Sequence, residues 1–282
     1  MAGTHFRGPV MFSSATPALE NLNIGDWPDQ VKWMDDFTGI AIDTGYEFWG
    51  GTYTAGGGNT WAIDQTAGQS QYGVAKYTLA GAAAGDGIGA QSALDWRIPD
   101  SEKYMTYHET RLKVSDSATM NWFSGFSIAI TDPDSSLMDA GTANYIGFRG
   151  ITGNDQVQII TSGAGTDLTF MPGSGLNSAS VDANLVSLGQ MVDDTYKTFG
   201  FTIHNQPSSS ENFARFYINR KLYGTVTSTG AVNGIQTAST LPANVDMAVT
   251  AQQAAGTAVA STAHVDYVLA AADRQVAYRP TN

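Results

Sequence analysis

Tyr104-Met105-Thr106-Tyr107-His108-Glu109-Thr110-Arg111-Leu112-Lys113-Val114 alternates bulky and polar side chains. That two-residue period suits an antiparallel strand with one face on a core and one in water. Downstream, Asn121 to Ile130 carries Trp122, Ser124, Phe126, Ile128 and Ile130 on one parity and reads as its partner. Similar runs occur at Tyr46 to Tyr53, Thr60 to Ile63, Val74 to Leu79, Tyr145 to Arg149, Gln156 to Ile160, Lys197 to Ile203, Ala214 to Asn219 and His264 to Leu269. Gly, Asp, Ser and Asn separate them, and these are turn formers. A set of roughly a dozen strands suits two packed sheets, because twisted open sheets seldom exceed about ten strands before they curl or split. The expected fold is therefore an all-β, mostly antiparallel sandwich.

Between these runs, Ala80 to Gly89 and Ala251 to Ala263 are rich in Ala, Gly and Thr and read as loops or flat edge strands. Gly163 to Ser180 reads as a long surface loop, Gln206 to Asn212 as a hairpin connection, and Ala183 to Leu188 as the one helical turn. Ahead of the sandwich, Phe6, Val10, Met11, Phe12, Leu19, Leu22, Ile24 and Trp27 follow no helical or strand period and are broken by Gly and Pro. An apolar but irregular segment cannot bury itself, so it is expected to lie against another surface. The division expected is an extended arm at 1–34, a sandwich at 35–274 and a tail at 275–282.

Apolar residues make up 42% of the 282 positions and charged ones only 14%, so the surface must draw heavily on Ser, Thr, Asn, Gln and Gly. A net charge of −12 opposes binding to nucleic-acid phosphates, whose affinity comes from Lys and Arg displacing counterions. The absence of cysteine removes disulfides, thiolate nucleophiles and Cys-based zinc sites. The start lacks a basic-then-apolar leader and no run is long enough to span a membrane, so synthesis in a cytoplasm and no membrane partner are expected.

Glycoside hydrolysis requires two carboxyl groups flanking the scissile bond. The strand motif that commonly supplies them, Glu-x-Asp-x-Glu, is absent. Glu occurs only at Glu20, Glu47, Glu102, Glu109 and Glu211, with no second acidic residue two places from Glu109. No Gly-x-Ser-x-Gly elbow accompanies His5, His108, His204 and His264, and the last three fall in strand runs where a hydrogen-bonded sheet histidine is the simpler account. The expectation is a protein that is not an enzyme and has no resident cofactor. Calcium could meet hard oxygens at Asp132, Asp134 and Asp139 or at Asp193 and Asp194, although Asp also starts turns. Trp49, Trp61, Trp96 and Trp122 suit either a sugar-stacking platform or a core, and the core is the simpler assignment.

Asp35-Asp36-Phe37, the runs around Tyr107 and Phe126, Phe216-Tyr217-Ile218-Asn219-Arg220-Lys221-Leu222 and His264-Val265-Asp266-Tyr267-Val268 together resemble concanavalin-like or laminin-G-like jelly rolls. The opening Thr4-His5-Phe6-Arg7-Gly8-Pro9-Val10, with Ser13-Ser14 and Trp27-Pro28-Asp29-Gln30-Val31, resembles the start of virion structural proteins of tailed bacteriophages. That second resemblance implies a capsid decoration or cement protein on the virion surface, bound to the major capsid protein and forming a homotrimer. Phe6, Arg7, Pro9, Met11, Phe12 and Trp27 would be its anchoring residues. The alternative it leaves open is a carbohydrate-binding adhesion module that recognises host surface glycans, followed by a polysaccharide depolymerase acting through Glu109.

Overall fold

The computed structural model describes residues 30–35, 37, 49–55, 57–64, 73–81, 83, 86–97, 105–128, 144–163, 166–173, 182–204, 213–227, 230–231, 246–255 and 257–273. Strands β1 to β5 are Gln30–Asp35, Trp49–Ala55, Thr60–Ile63, Ala75–Leu79 and Gly87–Arg97, and β6 to β10 are Met105–Val114, Met120–Ser127, Tyr145–Ile151, Asn154–Gly163 and Thr166–Phe170. Helix α1 is Ala183–Gly189, and β11 to β16 are Lys197–His204, Phe213–Ile218, Lys221–Thr227, Gly230–Ala231, Asp246–Ala255 and Ser261–Asp273. They form a nine-stranded sheet ordered β14-β13-β12-β11-β6-β16-β4-β3, with β1 also on β16, and a seven-stranded sheet ordered β10-β9-β8-β7-β15-β5-β2. The pairings between these strands are antiparallel. The chain is an all-β, antiparallel jelly-roll sandwich.

Several expectations need correcting. β6 and β7 do not pair: β6 bonds to β11 and β16 in one sheet, whereas β7 bonds to β8 and β15 in the other. A two-residue period reports which face a residue occupies, not which strand lies beside it. The two strands meet across the core, where His108 on β6 packs edge-on to Phe126 on β7 at 5.5 Å. The Ala- and Gly-rich segments are not edges either. β15 lies inside its sheet between β7 and β5, and β5 between β15 and β2. Gly163 to Ser180 holds the β9–β10 hairpin rather than one open loop. β1 reaches back to Gln30, so the last residues assigned to the arm hydrogen-bond to β16.

The inner faces meet in one apolar cluster rich in aromatic rings. Phe201 stands at 5.1 to 6.3 Å from His108, Phe126, Phe148 and Phe216, and Trp122 tilts against Phe199 at 5.0 Å. Trp122 is a core residue, and Trp61 packs on the same core while stacked on Tyr77 at 5.6 Å. The expectation of a wholly wet outer face on β6 is also corrected. Met105 and Tyr107 join Leu269 and Ala271 of β16 in a second apolar cluster, and only Arg111 and Lys113 at the far end are half-buried.

Candidate functional site

Alternation along β6 puts Thr106, His108, Thr110, Leu112 and Val114 on the inner side, so Tyr107, Glu109, Arg111 and Lys113 share the outer face of the nine-stranded sheet. The antiparallel register sets Gly200 of β11 and Leu269 of β16 opposite Glu109, and Tyr217 of β12 opposite Gly200. In the next row Arg215, Thr202, Tyr107 and Ala271 line up across four strands. A bulge between Val265 and Tyr267 adds Asp266 to β16 and swings both residues toward β6.

Glu109 is the centre of this face and is 2% exposed. Tyr107 Oη donates to its Oε2, and Tyr267 Oη donates to its Oε1 at 2.6 Å. A carboxylate out of water is stabilised by such donors. Burial, then the adjacent Glu109 charge, pushes the hydroxyl of each tyrosine well above its ordinary range, so both stay protonated donors. Gly200 makes room for them. A Cβ there would come within 3.3 Å of Tyr107 Oη and 3.5 Å of Glu109 Oε2.

Around this centre the face opens. Arg111 pairs with Asp266 and lies over the Tyr196 ring at 4.4 Å, with Lys113 over the same ring at 5.2 Å. Burial, then Asp266, holds the Tyr196 hydroxyl up at about 12. His264 Nε2 is 3.4 Å from Asp64 Oδ2, and its basicity is lowered chiefly by burial and next by Lys113. On the other flank His204 stacks on Phe213 at 4.6 Å and its Nε2 is 2.9 Å from Thr202 Oγ1. Burial, with Arg215 adding to it, depresses His204 to about 4, so it is neutral at pH 7. Tyr196, Phe213 and Tyr267 are thus half-buried rings interleaved with Arg111, Thr198, His204 and Arg215, also half-buried.

Of the residues singled out from sequence, Glu109 is brought to the middle of this face. His108 is not the hydrogen-bonded sheet histidine expected. It is fully buried, stacks on Phe201 at 5.1 Å, and neither ring nitrogen has a partner. Asp193 Oδ1 accepts from Ser117 N at 2.8 Å and from Ser117 Oγ at 2.9 Å, binding the turn after β6 to the segment before β11. Among the described residues no cluster of three His, Asp or Glu could hold a metal ion. Phe6, Arg7, Pro9, Met11, Phe12 and Trp27 lie outside the described residues, as do Asp132, Asp134 and Asp139. Arg215 and Tyr217 were missed, although Phe213-x-Arg215-x-Tyr217 has the strand period that puts all three on one face.

No protein-family model matches the sequence, and no curated protein does. Among solved structures, the endo-1,3-beta-glucanase from Streptomyces sioyaensis is 14% identical, with 88% of this chain and 98% of that one covered at a TM-score of 0.49. The endo-beta-1,3-glucanase from Pyrococcus furiosus is 12% identical over 88% and 98% at 0.49, and the carbohydrate recognition domain of Emp47p is 9% identical over 79% and 88% at 0.43. These comparisons correct the expectation that the chain is not an enzyme. Three of the similar solved structures are named as glucanases and a further one as a glycosyl hydrolase family 16 protein. They do not bear on a capsid partner, a trimer or a virion location.

Proposed function

We propose that this chain recognises carbohydrate on the outer face of its nine-stranded sheet. One observation carries the reading: half-buried rings at Tyr196, Phe213 and Tyr267 alternate there with fixed polar groups around the buried Glu109 carboxylate. A sugar ring has apolar C–H faces and an equatorial rim of hydroxyls. It is matched by aromatic surface beside preorganised donors and acceptors, whereas an ordinary wet sheet face needs neither. Glu109 would act chiefly as a positioning residue, holding the Tyr267 ring and hydroxyl toward the ligand. The named functions of the similar solved structures, glucan hydrolysis and carbohydrate recognition, support the same reading.

The test is affinity electrophoresis of the full chain through gels containing a panel of neutral and acidic polysaccharides, with release of reducing ends measured in parallel. Retardation by at least one polysaccharide is expected, with roughly 10-fold weaker binding in Tyr196→Ala and Glu109→Gln. Reducing ends that appear with the wild type and vanish in Glu109→Gln would add hydrolysis to recognition. Absence of retardation across the panel, or unchanged binding in both folded variants, would overturn the proposal.

A further inference from the structure

Arg215 differs from the two cations of β6 on the outer face. Arg111 is paired with Asp266, and Lys113 stands 4.0 Å from Asp194. Arg215 is half-buried and has no carboxylate partner among the described residues. Its guanidinium lies over the Phe213 ring at 4.9 Å, and Tyr217 follows two places along on the same face of β12. The missing acid does not reflect scarcity, because the chain holds 26 Asp and Glu against 14 Lys and Arg.

Tyr217 shares this neighbourhood: burial raises its hydroxyl above the ordinary range, and Arg215 and Thr202 beside it counter part of that rise, so it stays a protonated donor. A guanidinium with no carboxylate partner among the described residues and a phenol O–H therefore lie on one face of β12, flanked across the sheet by Thr202 and Thr225. A planar guanidinium already laid on an aromatic ring is preorganised for two parallel bonds to a carboxylate or sulfate.

We infer that Arg215 and Tyr217 bind the anionic group of an acidic saccharide, a uronate carboxylate or a sulfate ester. The inference rests on the glycan-binding reading above and names the class of glycan. The net charge of −12 makes adventitious attraction of polyanions unfavourable, so retention of one at physiological salt requires a local site of this kind.

The experiment is isothermal titration of the full chain with three oligosaccharides: alginate for uronate, carrageenan for sulfate, and laminarin as the neutral control. The wild type is expected to bind alginate or carrageenan at least about 10-fold more tightly than laminarin, and whichever is preferred identifies the anion. Arg215→Gln should abolish that preference by weakening the anionic ligand far more than laminarin, Arg215→Lys should keep part of it, and Tyr217→Phe should weaken the anionic ligand roughly 5-fold. Circular dichroism checks each fold, and Tyr217→Phe decides the matter should Arg215→Gln unfold. A wild type that prefers laminarin, or an anionic preference that survives Arg215→Gln and Tyr217→Phe, overturns this inference and leaves glycan recognition standing. Failure to bind any of the three, together with no retardation in the wider panel, overturns both.

Discussion

His108 and Glu109 are adjacent on β6, and the strand sends them to opposite faces. His108, on the inner face among Phe126 and Phe201, has neither ring nitrogen bonded. Glu109, hardly more exposed, has both oxygens satisfied by tyrosines. The inner face tolerates a polar group only by holding it neutral, since burial alone depresses His108 to about 3. On the opposite face, a carboxyl group is met by donors built around it. A fully satisfied buried network is what a precise surface needs, and an unsatisfied one contributes nothing but cost. This contrast is the physical reason for placing function on the outer face.

The largest test of it is Phe201→Ala, which removes the ring stacked on His108. Loss of about 3–5 kcal/mol in urea unfolding is expected, as for other buried aromatic truncations. Water entering the cavity would also bond the imidazole and raise its pKa. A loss below about 1 kcal/mol would mean that the inner face is not the tightly packed side of β6.

His108→Leu comes next, and its effect is read against pH. In the folded state the imidazole resists protonation down to about 3, while the unfolded chain takes up the proton near 6.5. Unfolding therefore binds a proton between these values, and the wild type loses about 1.4 kcal/mol per pH unit as pH falls below 6.5. That component should be missing from His108→Leu when urea unfolding is compared at pH 7 and pH 4.5, with little change at pH 7. Identical acid slopes in both proteins would show that His108 is already bonded in the folded state.

How much of this contrast was legible in sequence depends on what periodicity encodes. Thr60 to Ile63 is β3 to the residue, and the runs at Ala75, Tyr145 and Lys197 are strands because β-branched and aromatic residues alternate there. β15 and β5 were hidden by Ala, Gly and Gln, whose weak strand preference is overridden by pairing on both sides. Glu109 stood out because Glu is rare in this chain. Its partner Tyr267 lies 158 residues away, and no local pattern links them. That Arg215 meets no carboxylate among the described residues is likewise a property of its spatial neighbours.

Glu109→Leu makes the same replacement one residue along and should have the opposite sign to any gain at His108. It leaves the Tyr107 and Tyr267 hydroxyls without their acceptor, so a loss of about 1–3 kcal/mol in urea unfolding at pH 7 is expected. Glu109→Gln should lose less, because one carbonyl oxygen still accepts from one tyrosine. If Glu109→Leu were as stable as the wild type, the outer network would not be a satisfied one, and the reason for reading that face as a site would weaken.

The smallest effect tests whether the outer network reaches the end of the sheet. Asn219 and Arg220 form the β12–β13 turn with φ of 49° and 64°, and the Asn219 side chain accepts from Thr198 N at 3.0 Å. Left-handed backbone at Arg220 carries strain that glycine would relieve, partly offset by the larger entropy of a glycine in the unfolded chain. Turn strain alone predicts a gain of about 0.5–1 kcal/mol for Arg220→Gly. The Arg220 charge, however, is felt at the hydroxyls of both Tyr107 and Tyr267, where it counters part of the effect of Glu109. A gain would limit the network to Glu109 and its two tyrosines. A loss would mean that the strained arginine is retained for its charge, extending the functional face from β16 to the β12–β13 turn.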